Sequence, residues 1–335
     1  MTESNAYLPL SGMELPRFAG IPSFMRLPIV DVASRAARDE VEIGLVGVPW
    51  DGGTTNRPGA RHGPRQLRDA STMIRLVNQA TGMRPFHTAR CADLGDAPVN
   101  PADVEDALAR VRAFYGKVRE AAVVPLSAGG DHLVTLPILR GLVAGGAPVG
   151  LVHFDAHTDL YEGYFGGFRY THGTPFKRAI EEGLLEPARM TQIGIRGTSY
   201  DMDDIDYARS KGVRIVTIEE LMDRGTDAVM DEARARIGDA PAYLSFDIDG
   251  IDPSMAPGTG TPEIGGFTTH QAQRMLRRLD GLDLIGADLV EVSPPFDPSG
   301  NTAWVGVNIM FEILCVLARS VARKSAGGGT HPTPA

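Results

Sequence analysis

The chain has 335 residues, of which 43% are hydrophobic and 22% charged, so it can bury a large core and extensive disorder is not expected. Its formal net charge of −9 argues against a nucleic-acid backbone or an anionic membrane as the main partner. Two cysteines, Cys91 and Cys315, cannot form a disulfide framework, which favours a reducing compartment. With no signal-peptide pattern at the N-terminus and no run of about 18 apolar residues, we expect a cytoplasmic protein.

Three parts follow one another along the chain. Residues 1–40 are irregular and contain several prolines, which predicts an N-terminal arm lying over the surface or against a neighbouring subunit. Residues 41–323 contain no linker, low-complexity block or repeat, so we expect a single domain there. Residues 324–335, which end in GGGTHPTPA, have the composition of a flexible tail.

Apolar runs and helix-like segments alternate within the central part. The runs that predict buried strands are Val41–Val48, Ala122–Ser127, Pro148–Phe154, Thr191–Ile195, Val213–Thr217, Ala242–Phe246 and Leu284–Val290. The helix-like segments are Pro101–Val118, Thr174–Gly183, a capped start at Thr217, and Gln271–Leu279 after Thr269. This alternation predicts an α/β fold with a mostly parallel sheet between helices, and ligands beyond the carboxyl ends of its strands.

Metal-binding residue types follow three of these predicted strands. They are His132 after the second run, Asp155, His157 and Asp159 after the third, and Asp247 and Asp249 after the sixth. Residues two apart in an extended segment point to the same side, so each group can converge on one site. Any one of these residues, taken alone, is more often a helix cap or a turn residue. Their recurrence at three strand ends favours a metal site.

The proposed cluster holds four carboxylates and two imidazoles. Burying that much negative charge without cations is costly, so we expect two divalent metal ions. Oxygen-rich ligands with some imidazole suit Mn²⁺ first, with Fe²⁺, Co²⁺ or Ni²⁺ as alternatives. A structural zinc site is not expected because paired cysteines are missing.

The segments GGDH, FDAHTD and SFDIDGIDP resemble the signature motifs of the ureohydrolases, the family of arginases, agmatinases and guanidino acid hydrolases. The resemblance runs from about Gly47 to about Arg319, and GVPWDGGTTNRPGARHGPRQLR and APGTGTPEIGG resemble the agmatinase-like branch. It implies a three-layer αβα fold with about eight strands, and two Mn²⁺ ions held by the six residues above. It also implies a trimer or hexamer that hydrolyses a guanidino group to urea and an amine.

Three residues receive catalytic roles from the same resemblance. Asp159 would pass on the proton that the leaving amine needs, and Glu291, at the end of the last predicted strand, would bind the guanidinium in fork geometry. His172, in THGTP, would be a proton shuttle, since histidine titrates near neutrality. The alternatives are a solvated loop glutamate and a loop histidine that caps the next helix. His153, two residues before Asp155, is expected to support the cluster from behind.

Substrate choice depends on the loop between the metal motif and His172. This loop, Leu160–Tyr170, contains five aromatic residues and should cover the pocket. We expect Tyr164 to point inward and shorten it. Glu162 could bind a distal amine, as in agmatine, and Arg169 a distal carboxylate. The flanking motifs favour a guanidino acid, 3-guanidinopropionate or 4-guanidinobutyrate, over agmatine, an alkylguanidine or a biguanide.

Two other classes of protein are compatible with parts of this pattern. A mononuclear zinc deacetylase shares the DxH motif and a distant Asp, but it would not need His132, Asp159 and Asp249 as a second ligand set. A non-catalytic partner subunit of an active paralogue would not need an intact ligand set. Both alternatives therefore predict fewer metal ligands than this sequence carries.

Overall fold

The computed structural model describes residues 6–326 and contains one sheet of eight parallel strands. The strands are Ile43–Gly47 (β1), Cys91–Asp96 (β2), Val124–Ala128 (β3), Val149–Phe154 (β4), Leu185–Ile195 (β5), Arg214–Thr217 (β6), Ala242–Asp247 (β7) and Leu284–Val290 (β8). Their order across the sheet is β2-β1-β3-β8-β7-β4-β5-β6. All seven predicted strands are present, and the expectation of a parallel sheet is confirmed.

Eleven helices among the described residues surround the sheet. They are Arg35–Glu40 (α1), Gly63–Ser71 (α2), Pro85–Thr88 (α3), Val104–Glu120 (α4), Thr135–Leu142 (α5), Pro175–Glu181 (α6), Asp203–Lys211 (α7), Ile218–Arg224 (α8), Thr226–Ile237 (α9), Thr269–Arg277 (α10) and Asn301–Ala326 (α11). One hydrophobic cluster joins α2, α3 and α8–α11 to one face of the sheet, and a second joins α4–α7 to the other. The fold is therefore the expected three-layer αβα arrangement.

Local sequence signals account for the helix starts. The Asp103 side chain accepts a hydrogen bond from the backbone N–H of Asp106 and caps α4. Thr268 and Gln271 form a reciprocal capping box at the start of α10. The Thr217 side chain accepts a hydrogen bond from the backbone N–H of Glu220 and caps α8, as its position before Ile-Glu-Glu-Leu predicted.

Strand β2 and seven helices (α1, α2, α3, α5, α7, α9 and α11) did not appear in the sequence prediction, and β2 and α11 were missed for opposite reasons. Strand β2 reads CADLGD and has β1 as its one neighbour among the eight strands, at the edge of the sheet, so it lacks the apolar run of a central strand. Helix α11 is long and apolar enough to cross a membrane by length and composition, but 78% of its apolar window is buried inside the protein. A helix that is hydrophobic all round shows no amphipathic period, and α11 is the central core helix of its layer.

The two ends of the described chain pack on this body. Phe24, Met25 and Leu27 are buried in the cluster that contains α11, so this part of the predicted N-terminal arm contributes to the core. At the other end, α11 continues to Ala326, which makes the first three residues of the predicted flexible tail helical. The rest of that tail, residues 327–335, lies outside the described residues.

The four central strands end almost level with one another. Ala128 of β3 and Phe246 of β7 both lie beside Leu289 of β8, and Phe154 of β4 lies beside Phe246. The segments that leave β3, β8, β7 and β4 therefore begin at one place on the carboxyl edge of the sheet. This is the position at which parallel α/β sheets bind ligands.

Candidate active site

The strand ends bring all six predicted metal ligands together. Asp155 follows β4 directly, Asp247 is the last residue of β7, and His132 follows β3 after the GGD turn. The Nδ1 atom of His132 lies 3.0 Å from Asp155 Oδ2 and 3.1 Å from Asp247 Oδ2. It also lies 2.9 Å from Asp159 Oδ2. Three carboxylates from two strand ends thus meet one buried imidazole nitrogen.

A second group lies beside the first and shares Asp155 with it. The Nδ1 atom of His157 lies 3.4 Å from Asp155 Oδ1 and 3.1 Å from Asp249 Oδ2. The two oxygens of Asp155 therefore face different groups. Such an arrangement can hold two cations with one carboxylate between them.

Backbone hydrogen bonds fix how the carboxylates point. Asp155 Oδ1 accepts from His157 N at 2.6 Å, and Asp247 Oδ1 accepts from Asp249 N at 2.8 Å. Asp249 Oδ1 accepts from the backbone N–H of Ala156 at 3.1 Å. In Asp247 and Asp249 the second oxygen is left to face the cluster. The first two of these bonds are local, whereas the third joins the segment after β4 to the segment after β7.

The donor set fits divalent cations. His132 Nδ1 is buried and makes no hydrogen bond of good geometry, although three carboxylate oxygens lie within 3.1 Å of it. Burial, and then the carboxylates of Asp249 and Asp155, raise the pKa of Asp247 well above its usual range. Buried carboxylates clustered around an unpaired ring nitrogen are expected of a cation site, because the charge of bound cations would balance them. The residues therefore match a two-metal site.

Buried polar residues form hydrogen-bond contacts with the predicted metal ligands. The Nε2 atom of His132 lies 2.8 Å from Ser245 Oγ, and this hydroxyl donates to Asp288 Oδ1 at 2.7 Å. On the other side, His153 Nε2 lies 2.8 Å from Asp155 Oδ2, and the Gln192 amide nitrogen lies 2.9 Å from His153 Nδ1. Both ring nitrogens of His153 have partners, so His153 takes the supporting position expected of it.

Glu291 and His172 form a buried pair at the edge of the cluster. His172 Nδ1 lies 2.9 Å from Glu291 Oε1, which also accepts a hydrogen bond of 2.9 Å from the backbone N–H of His132. Burial disfavours the charged form of His172, but the Glu291 carboxylate outweighs burial and raises the pKa of His172 to about 9. The His172 Nε2 atom accepts from the backbone N–H of Thr55 at 3.2 Å.

Two of the site residues have unusual backbone conformations. Asp159 has a φ of 53° and Glu291 a φ of 63°, in the left-handed region that side-chain-bearing residues rarely adopt. Glu291 directly follows β8, and Asp159 lies in the segment that follows β4, so both residues are at the carboxyl edge of the sheet. Backbone strain of this kind is concentrated at functional sites.

A cavity of about 470 Å³ opens above the cluster. Asp159, His172 and Glu291 line its floor, and Tyr164 lines its wall. The Tyr164 ring packs so closely on Gly173 that a Cβ there would lie 2.6 Å from the phenol oxygen. Tyr164 thus points into the cavity, whereas the neighbouring Phe165 is 74% exposed.

Two further aromatic residues extend this wall. The rings of Tyr161 and Tyr200 lie 5.5 Å and 6.2 Å from the Tyr164 ring, in edge-to-face arrangements. The Tyr161 hydroxyl lies 2.7 Å from Ser199 Oγ. The loop after β4 is therefore joined to the loop after β5 over the cavity.

Two residues proposed as binders of the substrate's distal end lie away from the cavity. Arg169 pairs with Glu181 at 2.6 Å, and Glu162 pairs with Lys177 at 2.9 Å. Both are on the outer surface of the loop, where their charges are already matched. The expectation that Glu162 or Arg169 reaches the substrate was wrong, because the loop turns these two charged side chains towards α6, whereas Tyr161 and Tyr164 line the cavity.

The structure adds cavity residues that the sequence reasoning did not select. They are Thr55, Asn56, Arg57, Thr198, Ser199, Tyr200, Thr261, Pro262 and Glu263. Most lie within the flanking segments DGGTTNRPG and GTGTPE, which were noted only as family-like. The signal that could have identified one of them is Arg57, an arginine within the glycine-containing segment DGGTTNRPG that resembles the family. Its partners could not be identified without the fold.

Comparisons with known proteins agree with this geometry. The profile of the arginase family matches residues 41–316. A guanidinopropionase of Pseudomonas aeruginosa is 57% identical over 318 residues, covering 95% of this chain and 98% of that protein. A guanidinobutyrase of the same organism is 48% identical over 321 residues, covering 96% of this chain and 100% of that protein. The solved structure of proclavaminate amidinohydrolase from Streptomyces clavuligerus superposes with a TM-score of 0.86 at 40% identity, covering 91% and 99%.

Proposed function

The chain belongs to the arginase family and is an amidinohydrolase, and from that premise we propose that its substrate is a guanidino acid, with 3-guanidinopropionate preferred to 4-guanidinobutyrate. The reaction adds water to the guanidino carbon and breaks its bond to the substituted nitrogen. The products are urea and an amino acid. The 57% identity to a guanidinopropionase over nearly the full length of both chains supports the preference for the shorter acid.

The observation that carries this proposal is the position of Glu291 beside the six ligands. Its Oε1 atom is occupied by the backbone N–H of His132 and by His172. Its Oε2 atom faces the cavity near Gly260. A carboxylate held in this way can bind the planar guanidinium and place its carbon over the cluster.

The six ligands would hold two divalent cations, and such cations lower the pKa of coordinated water from about 15.7 towards 7. Asp159, between the cluster and the cavity, would accept the proton of the attacking water. The leaving nitrogen must gain a proton, and Asp159 or the nearby His172 would deliver it. The ring of His172 is held for this task by Glu291 on one side and Thr55 on the other.

Metal identity, assembly and location are part of the same proposal. Mn²⁺ suits a site made of carboxylate oxygens with two imidazoles. We propose a homo-oligomer, a trimer or a hexamer, that works in the cytoplasm. The metal content of the purified protein and its mass in solution would test the first two points.

Urea release over a panel of guanidines tests the substrate. The panel contains 3-guanidinopropionate, 4-guanidinobutyrate, agmatine and propylguanidine, each with Mn²⁺ supplied. We expect the three-carbon acid to give the highest kcat/KM and the Asp247→Ala variant to release no urea. Preferential hydrolysis of agmatine or propylguanidine would contradict the assignment to guanidino acids.

A further inference from the structure

One arginine lines the active-site cavity without an ion-pair partner among residues 6–326. It is Arg57, the only arginine or lysine among the described lining residues of the cavity. Other arginines near the site are engaged: Arg61 pairs with Asp51, and Arg196 donates to the carbonyl groups of Asp249 and Glu263. Arg57 has no such partner among the described side chains, so its guanidinium is available to a ligand.

The side chain of Arg57 is nevertheless held in place. Its Cζ atom lies 3.8 Å from the centroid of the Phe296 ring, which gives a cation–π contact. Stacking uses the flat face of the guanidinium and leaves its N–H edge free. That edge is the part which binds a carboxylate through two parallel hydrogen bonds.

Arg57 lies close to the residue assigned to the guanidinium end of the substrate. A Cβ atom at Gly260 would lie 3.1 Å from the Arg57 carbonyl oxygen and 3.7 Å from Glu291 Oε2. The glycine therefore forms the short stretch of cavity wall between the two residues. Both residues line the same cavity, so a molecule with a guanidinium at one end and a carboxylate a few carbon atoms away can meet one residue with each end.

One other charged group competes for the distal end of a substrate. Glu263 also lines the cavity and has no ion-pair partner among the described residues. It packs against Gly197, on the loop after β5. An enzyme that used Glu263 would select a distal amine, whereas one that used Arg57 would select a distal carboxylate. The two possibilities predict opposite substrate charges.

Because Arg57 is the unpaired, stacked arginine of the cavity lining and its backbone lies beside the same glycine as Glu291 Oε2, we propose that Arg57 binds the substrate's carboxylate and sets the preference for guanidino acids. This inference rests on the proposed function and names the residue that selects the substrate class. Phe296 is the positioning residue for the Arg57 guanidinium. Arg57 takes the role that the sequence analysis considered for Arg169.

Variants at Arg57 test the proposal through the charge of the substrate. We expect Arg57→Gln to lower kcat/KM for 3-guanidinopropionate roughly 10- to 100-fold, mainly through KM, because charge-assisted hydrogen bonds are lost. Its kcat/KM for propylguanidine, which has no distal charge, should change less than about threefold. The kcat/KM of Arg57→Lys for 3-guanidinopropionate should lie between those of the wild type and Arg57→Gln, since lysine keeps the charge but cannot form two parallel hydrogen bonds. Arg65→Gln, at an exposed arginine of α2, is the matched control and should leave both substrates unchanged.

A binding measurement separates recognition from catalysis. The product 3-aminopropionate should inhibit propylguanidine hydrolysis by the wild type, and Arg57→Gln should weaken this inhibition roughly tenfold or more. Metal content should stay the same in both proteins. A similar loss with propylguanidine and with the acid would show that Arg57 only shapes the loop, and an unchanged KM for the acid would also overturn the proposal.

Failure of the proposed function would look different. If the wild type hydrolyses agmatine and no guanidino acid, the substrate assignment is wrong. Inhibition of agmatine hydrolysis by 3-aminopropionate then decides the role of Arg57. Weaker inhibition in Arg57→Gln would support a carboxylate site, and equal inhibition would overturn it. Glu263→Gln should lower agmatine hydrolysis in that case.

Discussion

Asp247 and Glu291 follow neighbouring strands but have different partners. Asp247 faces His132 in the ligand cluster, whereas Glu291 faces His172 and the cavity. We expect Asp247→Ala to lose bound metal and activity together. Glu291→Gln should keep the metals and lower kcat/KM roughly 100- to 1,000-fold, because an oriented charge is removed from the reacting group. Metal analysis and urea release on both variants give the result. Metal loss from Glu291→Gln would place that side chain among the ligands.

The titration of the ligands sets the pH dependence of metal binding. In the metal-free protein, burial and neighbouring carboxylates raise the pKa values of Asp247 and Asp249. Burial lowers the pKa of His157, but Asp249 and Asp155 outweigh it, and this pKa is well above its usual value. A raised pKa means that a group binds its proton more tightly, and a ligand must lose that proton to bind a cation.

We therefore expect Mn²⁺ binding to release protons and its affinity to rise with pH. Dissociation constants measured at about pH 6, 7.5 and 8.5, together with proton release in weakly buffered solution, check this. The sign follows from mass action, because a higher pH removes the competing protons. An affinity that stays constant across this range would mean that the ligands are already deprotonated in the metal-free protein.

At the scale of elements, the loop after β4 acts as a cover for the cavity. Tyr164 points inward from it, and its ring packs on Gly173 and contacts the rings of Tyr161 and Tyr200. We expect Tyr164→Met to shift the ratio of kcat/KM towards 4-guanidinobutyrate by roughly 10- to 200-fold, the effect of about one methylene group in an apolar pocket. Methionine is flexible and can make room for the longer chain.

The neighbouring Phe165 provides the control for this prediction. It is 74% exposed and lies outside the lining of the cavity. Phe165→Leu should leave the ratio for the two acids unchanged. If Tyr164→Met also leaves that ratio unchanged, Tyr164 does not determine chain length and its packing serves only the loop.

At the scale of the whole molecule, the proposed two-metal site would make the stability of the fold depend on bound metal. Its ligands come from β3, β4 and β7, so bound cations would join three strands of the central sheet. We expect a chelator to abolish urea release and lower the Tm, and Mn²⁺ to restore both. At a metal concentration of about 100 times Kd, the gain is about 2.7 kcal/mol per site.

The same experiment on Asp247→Ala serves as its control. This variant should show no rise in Tm with Mn²⁺, because its ligand set is incomplete. Full activity of the chelated, metal-free wild type would end the two-metal hypothesis. A metal-dependent Tm without metal-dependent activity would assign the cluster a structural role only.

The sequence by itself determined the parallel sheet and the grouping of His and Asp residues at its strand ends. Buried parallel strands appear as apolar runs, and D-x-H-x-D and D-x-D at their ends are local patterns whose side chains share one direction. The signal was weakest where burial is one-sided or complete. Edge strand β2 has too few apolar residues, and the core helix α11 has no polar face.

Only the tertiary structure decided which distant side chains meet. His172 and Glu291 are 119 residues apart, and Arg57 stacks on Phe296 from another loop. In the tertiary structure Arg169 points outward to Glu181, and Arg57 lines the cavity. The physical reason is that strand and helix patterns reflect local periodicity and burial, whereas the direction of a loop side chain depends on packing and charge partners far away in sequence. The enzyme class and the residues of the His/Asp cluster could therefore be predicted from the sequence, but the residues proposed to bind the distal end of the substrate could not.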